Sequence, residues 1–551
     1  MSFIFLILTG GAIANSLSPM EESEVNARVH RFYNNPSSPE VMDSYVPKYS
    51  INKQRWVHSH ADLQGNRSEK DALLQMAGKK ASPEFQKHYC ESVLKKHFPE
   101  VYELSCRGRS RAQAESKDNF QNLTTTWIDS EQLERSLDGI PTEGETSFQL
   151  WSDDYWRIRW GLTSFRYGIY AHQQPWHNYT EAVAVYAQPA QWLGSLALPP
   201  ADLTRLITDW SPSEKYDLTV GDESFALTRE QKGEGADLIG PNGDVEDWMG
   251  ICHGWSAANM KVPAPMKTTT VIGAKGAEIP WYPADTRALA SLAWANGTYK
   301  NNFVGLKCQL GPNEIVKYPN GRIQNQNCFD SNPATLHLLL GNMIGKQKQS
   351  FVMDEQFDYE VWNQAMQSYE FTYFNLLDPN LKSKKWSDVA VDYDTAFKEK
   401  DRFQTPLTRG TRSGTTYNDS GIQKVVGVIA SLVYLSELLP PEHTPTPQAN
   451  YYERLTIAYD LELQEIDGKW IPTGGEWHQN AHPDFFWIPQ KTSVAQMPSF
   501  DQVALAFDGA KVPDALVTQT ATRASPYAYP LCRVVKELVK RSAEGDGYPC
   551  P

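Results

Sequence analysis

The spacing of apolar positions changes several times along the chain. SEKDALLQMAGKK and PEFQKHYCESVLKKHFPEVYELSC repeat their apolar residues at helical intervals, which predicts amphipathic helices before residue 110. That pattern fades through KDNFQNLTTTWIDSEQLERSLDGIPTEGE, a stretch that reads as a linker. At Trp151 the composition shifts: WSDDYWRIRWGLTSFRYGIYAHQQPWHNY is dense in aromatic residues and is followed by the apolar run TEAVAVYA. Beyond it, PADLTRLITDW and PADTRALASLAWAN carry helical spacing, whereas KTTTVIGA, KQSFVMD and KVVGVIASLVYL are β-branched runs. The mixture predicts an α+β fold rather than a doubly wound sheet. Four segments follow: residues 1–16 as a signal peptide, 17–145 as a helical N-terminal region or prosegment with its linker, 146–500 as the main domain, and 501–551 as a helical tail packed on the core.

Length and charge narrow the partners. A chain of 551 residues can bury a large core. Its net charge of -14 comes without a Lys/Arg block of the kind that neutralises phosphates, so nucleic acid is excluded as a partner. MSFIFLILTGGAIANS joins a short apolar run to a small-x-small pattern and predicts secretion, although the basic residues usual before such a run are missing. No later stretch has the roughly 20 apolar residues of a membrane span. Asn66, Asn122, Asn178, Asn296 and Asn418 begin N-x-S/T triplets, which suit a secreted glycoprotein but also arise by chance. Internal repeats, Walker and GxGxxG loops, and CxxC or HExxH spacings are all absent.

The seven cysteines divide unevenly. Cys90 with Cys106, Cys308 with Cys328, and Cys532 with Cys550 are sequence neighbours at distances typical of disulfide loops, each worth about 3 kcal/mol in the loop-entropy model. Cys252 has no such neighbour. An odd cysteine in an oxidising compartment is an intermolecular half-bridge, a buried free thiol or a reactive nucleophile.

Its surroundings favour the nucleophile. Gly250 permits close backbone approach just before Cys252, and HGWSAANM predicts a short helix stopped by Pro263 and Pro265. A thiol in the first turn of a helix meets amide groups that favour its thiolate and a developing oxyanion. The base then comes from a distant segment. In NPATLHLLLGNMIGKQKQSFVMD, two antiparallel strands joined through GKQK bring His337 beside Asp354, which fixes the imidazole tautomer. Asn332 and Pro333 leave a helix open for the same stretch, with His337 in its core. His253 is the alternative base, although neighbouring residues on a helix point about 100° apart. Trp248 and Trp255 are candidates for an oxyanion donor or channel wall, against plain core packing. In GEWHQNAHPDFFWIP, Glu476, His478, His482 and Asp484 match no standard metal spacing, so strands with aromatic packing are the preferred reading.

Three segments carry a resemblance to a known family: GICHGWSAANM, NPATLHLLLGNMIGKQKQSFVMD and DYEVWNQAMQSYEFTY. The chain resembles the secreted transglutaminase elicitors of oomycetes and their marine bacterial relatives over about residues 150–500. The family's plant-recognised surface peptide begins VWNQ, as do Val361, Trp362, Asn363 and Gln364 here; it then continues with a proline and a basic residue, where this chain has Ala365 and Met366. That departure puts recognition by a plant receptor in doubt.

The resemblance implies a papain-like transglutaminase core, a nucleophile helix packed on antiparallel strands, with Cys252, His337 and Asp354 as its triad. It also implies an extracellular or cell-wall location and protein substrates with exposed glutamine and lysine. The implied reaction is formation of isopeptide cross-links through a cysteine thioester, with no cofactor in the chemistry. Dependence on calcium or another divalent ion is left open. A papain-like cysteine peptidase, a glutamine deamidase and a non-enzymatic secreted elicitor remain as alternatives.

Overall fold

The computed structural model describes most of residues 132–166, 207–297, 331–396, 421–438 and 450–489, the helix near residue 535, and shorter pieces elsewhere. The expected signal peptide, the two N-terminal helical windows, and Cys90, Cys106, Cys328 and Cys550 lie outside the described residues.

Local signals explain where the helices begin and end. They are α1 (Tyr179–Val185), α2 (Pro212–Val220), α3 (Ala226–Gly233), α4 (Cys252–Lys261), α5 (Pro283–Asn296), α6 (Pro333–Leu339), α7 (Tyr393–Ala396) and α8 (Leu531–Ser542). Proline opens α2, α5 and α6, where its fixed φ suits a helix and its missing N–H costs nothing. Ser211 and Glu214 form a capping box on α2, and Asp285 accepts the Tyr282 backbone N–H at the head of α5. Val262, extended, ends α4 just before Pro263.

The strands are β1 (Lys48–Ser50), β2 (Arg55–Val57), β3 (Glu143–Glu145), β4 (Thr269–Ile272), β5 (Glu278–Trp281), β6 (Asn301–Gly305), β7 (Val352–Asp354), β8 (Asn363–Phe374), β9 (Lys382–Ser383), β10 (Val391–Asp392), β11 (Lys424–Ser436), β12 (Tyr451–Ile466), β13 (Lys469–Gly474) and β14 (Phe485–Pro489). Strands β4 and β5 form a separate hairpin. Among the described residues, the other twelve make one antiparallel sheet whose main path runs β2-β1-β12-β11-β8-β7-β14-β6. The chain is therefore α+β, with helices set against an antiparallel sheet. Strand β3, just before the compositional change at Trp151, already pairs with β8.

The sheet has a core on each face. Val352, Ala365, Leu435, Phe485 and Trp487 lie in a core shared with α4, α5 and α8. Met353, Met366, Phe371, Tyr373, Tyr459 and Phe486 belong to a second core that includes α6. One extra residue on β8 between Met366 and Ser368 shifts the alternation there, so Met366, Tyr369, Phe371 and Tyr373 all reach the second core.

Segment 333–344 differs from the two-strand expectation. Asn332 caps it by accepting the Ala334 N–H at 2.9 Å, Pro333 starts α6, and the chain continues as a π-helix over Leu340–Lys346. Apart from His337 the run LHLLLG carries no polar side chain, because this helix is buried on all sides, which gives the same pattern as a buried strand.

Candidate active site

Two glycines allow Cys252 to sit where it does. A Cβ on Gly250 would lie 2.4 Å from the Tyr155 carbonyl oxygen, and one on Gly254 would lie 2.2 Å from that of Ser291. The first glycine lets the chain entering α4 run against residues 155–156; the second lets α4 lie close on α5. Cys252 opens α4, is 4 % exposed, and is the free cysteine among the described residues. Cys308 and Cys532 are disulfide-bonded, and their partner cysteines lie outside the described residues.

The face of the sheet opposite Cys252 supplies its neighbours. Asn363 Nδ2 donates to Cys252 Sγ at 3.4 Å, and the thiol donates to the Val361 carbonyl oxygen at 3.8 Å. Trp487 Nε1 donates to Asn363 Oδ1 at 2.7 Å. Asp354 is the register partner of Asn363 across β7 and β8, and directly paired residues project to the same face. Its Oδ1 accepts the Trp362 N–H at 2.9 Å and the Gln356 N–H at 3.4 Å, while its Oδ2 is buried and has no hydrogen-bond partner.

Burial dominates the electrostatics. It pushes the Cys252 thiol up to about 11; the Asn363 N–H groups oppose the shift, and the charges of Glu437 and Asp354 add to it. Burial also holds Asp354 well above the usual carboxylate range, against the Trp362 N–H and the positive charge of Lys307. The resting site thus pairs a protonated thiol with a carboxyl group inclined to keep its proton.

The expected triad is not assembled: Cys252 and Asp354 share a face, but His337 does not join them. Its ring stacks on Phe371 with centroids 3.9 Å apart, and its two nitrogens pair with the hydroxyls of Tyr459 at 2.9 Å and Tyr373 at 3.2 Å, all in the second core. Phe371 is separated from Asn363 by about 25 Å of strand. Burial alone drives the His337 pKa down to about 3, with no carboxylate contributing. The misplacement follows from reading α6 as a strand.

The remaining candidates also find definite places. His253 follows Cys252 on α4 and is buried. Both indoles proposed as oxyanion donors spend their N–H elsewhere, Trp255 on the Trp151 carbonyl at 3.0 Å and Trp248 on Glu246 at 2.5 Å. Trp248 still lies near the thiol in sequence, under Lys307 at 5.1 Å and edge-on to Tyr359. Glu476, His478, His482 and Asp484 are dispersed in their bonding: His478 pairs with Asp460 at 3.2 Å, His482 stacks on Trp477, the Glu476 N–H reaches Asp460, and Asp484 accepts the Cys308 N–H at 2.8 Å. Among the described residues no group of three or more His, Cys, Asp or Glu is arranged for a metal ion.

Sequence reasoning gave Asn363 no chemical role and did not single out Trp487. Period-two alternation in VWNQA and FFWIP carried the available signal, because it places Asn363 with Ala365 and Trp487 with Phe485 on one face. Val361, Trp362, Asn363 and Gln364 are 7 %, 5 %, 1 % and 0 % exposed, so this segment forms a wall of the site rather than the surface peptide expected from the resemblance.

A free thiol at the head of a buried helix, faced by an amide and a carboxyl group from an antiparallel sheet, defines an α+β protein with a thiol-centred site. The chain belongs to the transglutaminase elicitor family, whose sequence profile matches residues 127–508. No curated protein sequence matches it. Among solved structures it is similar to the GP42 transglutaminase from Phytophthora sojae, at 18 % identity and a TM-score of 0.41, over 69 % of this chain and 94 % of that one. No described helix is long and apolar enough to cross a membrane.

Proposed function

We propose that the protein is a protein-glutamine γ-glutamyltransferase, with Cys252 as its nucleophile and Asp354 as the group that exchanges protons with it. The observation that carries this reading is the placement of a free thiol at the head of α4, against Asn363 and on the same face as Asp354. The family's description supports the reaction class. The unit of α4 on β7 and β8 corresponds, in this reading, to a papain-like core.

In the first half-reaction Sγ attacks the side-chain carboxamide carbon of a peptidyl glutamine. The C–N bond breaks, the Asp354 carboxyl group gives its proton to the departing nitrogen and takes up the thiol proton in its place, and ammonia leaves a thioester on Cys252. In the second, a lysine amine attacks the thioester; the C–S bond breaks, and the Asp354 carboxyl group gives its proton to the departing sulfur while taking one from the attacking amine. Water in place of the amine gives glutamate. Burial of the site favours the amine by excluding water.

The family's name also supports an elicitor role, acting outside the cell on proteins that expose glutamine and lysine. Disulfide-bonded Cys308 and Cys532 suit an oxidising compartment, with Cys328 and Cys550 as the proposed partners. Incubation with a glutamine-containing peptide and hydroxylamine tests the chemistry. A peptidyl hydroxamate that forms with the native chain and not with Cys252→Ser supports the thioester. Cleavage of the peptide backbone without hydroxamate at glutamine identifies a peptidase instead.

A further inference from the structure

The hydrogen-bonding of Asn363 is dictated by its neighbour. An asparagine amide has a donor end and an acceptor end, and its orientation follows from its partners. An indole N–H only donates, so the 2.7 Å contact with Trp487 must be made by Asn363 Oδ1. The Nδ2 end is thereby turned to Cys252 Sγ, 3.4 Å away. All three groups are buried, and each stands on a regular element: α4, β8 and β14. The Trp487 ring is itself held by stacking on Phe303, at 5.7 Å between centroids and 17° between planes.

We propose that Asn363 is a catalytic residue whose side-chain N–H stabilises negative charge on Cys252 Sγ, and that Trp487 is a positioning residue that fixes the amide in its donating orientation. The sulfur bears that charge before it attacks and again when it is expelled from the thioester, so one donor serves both half-reactions. A buried site needs such a donor because the other charged groups oppose a thiolate. Asp354 from β7 and Glu437 beyond the end of β11 both disfavour it. Lys307 acts on Asp354, and His253 follows Cys252 on α4. This inference rests on Cys252 as the reacting thiol of the proposed function.

The rate of Cys252 alkylation by iodoacetamide, at a pH below the thiol midpoint, tests it without requiring turnover. Asn363→Ala removes the donor and also opens space beside the sulfur. Loss of a hydrogen bond to a charged group corresponds to about one to two pH units, so alkylation should slow by about tenfold or more despite easier access. Trp487→Phe keeps a ring against Phe303 but frees the amide to turn; it should slow alkylation to a smaller extent and lower kcat more than it changes KM. A purely structural role predicts faster alkylation in both variants as packing loosens. Unchanged or faster labelling in folded Trp487→Phe overturns the proposal, even if Asn363→Ala fails to fold. Slower labelling in a chain that makes no hydroxamate leaves the thiolate donor in place and refutes the transfer reaction instead.

Discussion

His337 stacks on Phe371 at 3.9 Å between ring centroids, on the face of the sheet that Cys252 does not touch. Its two ring nitrogens are engaged by Tyr459 and Tyr373, so its contribution is to packing and hydrogen bonding. His337→Gln should therefore leave amine incorporation per folded molecule within about twofold of the native rate, while destabilising the chain by about 1–3 kcal/mol through unpaired buried hydroxyls. The same residue sets a pH dependence. Its pKa falls from 6.5 to about 3 on folding, so between those values the unfolded chain binds the extra proton. Stability from this residue is complete above pH 6.5 and is lost as pH falls toward 3. Urea midpoints followed over that window should slope less in His337→Gln; equal slopes would contradict the assignment.

Gly254 marks the closest approach of α4 to α5. A methyl group there would lie 2.2 Å from the Ser291 carbonyl oxygen and 2.5 Å from the Ala295 Cβ, both on α5. Overpacking of this kind costs about 1–3 kcal/mol, and here rigid backbone meets the added carbon. Gly254→Ala should lower the urea midpoint and shift Cys252 with its helix. An unchanged midpoint would show that the helices separate without penalty.

The segment Val361–Gln364 should be protected in the native protein. Trp362 packs edge-on against Tyr155 at 5.2 Å between centroids, its backbone N–H is bound by Asp354, and Gln364 Nε2 donates to Glu437 at 2.7 Å. Amides 362–366 should exchange with solvent only through opening of the sheet, and a receptor for VWNQ should bind the unfolded chain in preference to the native one. Rapid exchange at these positions in the folded protein would refute that burial.

Much of the framework was legible from sequence. Gly250 before Cys252 and Pro263 after it bound α4, Pro283 opens α5, and the β-branched runs became β4, β7 and β11. What escaped the reading was α6, because a helix buried on every side loses the polar stripe that distinguishes it from a strand; only Asn332 and Pro333 gave it away. The candidate site shows the same limit. Cys252 emerged from local signals and Asp354 only as the expected partner of His337 in a two-strand reading that α6 replaces, whereas Asn363 and Trp487 meet only through the order β8-β7-β14, and no spacing along the chain specifies that order.

Incorporation of a labelled primary amine into a glutamine-bearing protein, with the released ammonia measured alongside, tests the central assignment most directly. The native chain should incorporate amine and release ammonia in equal amounts, and Cys252→Ala, with the same thermal midpoint to within a few degrees, should do neither. Incorporation that survives in Cys252→Ala would contradict the assignment of the nucleophile.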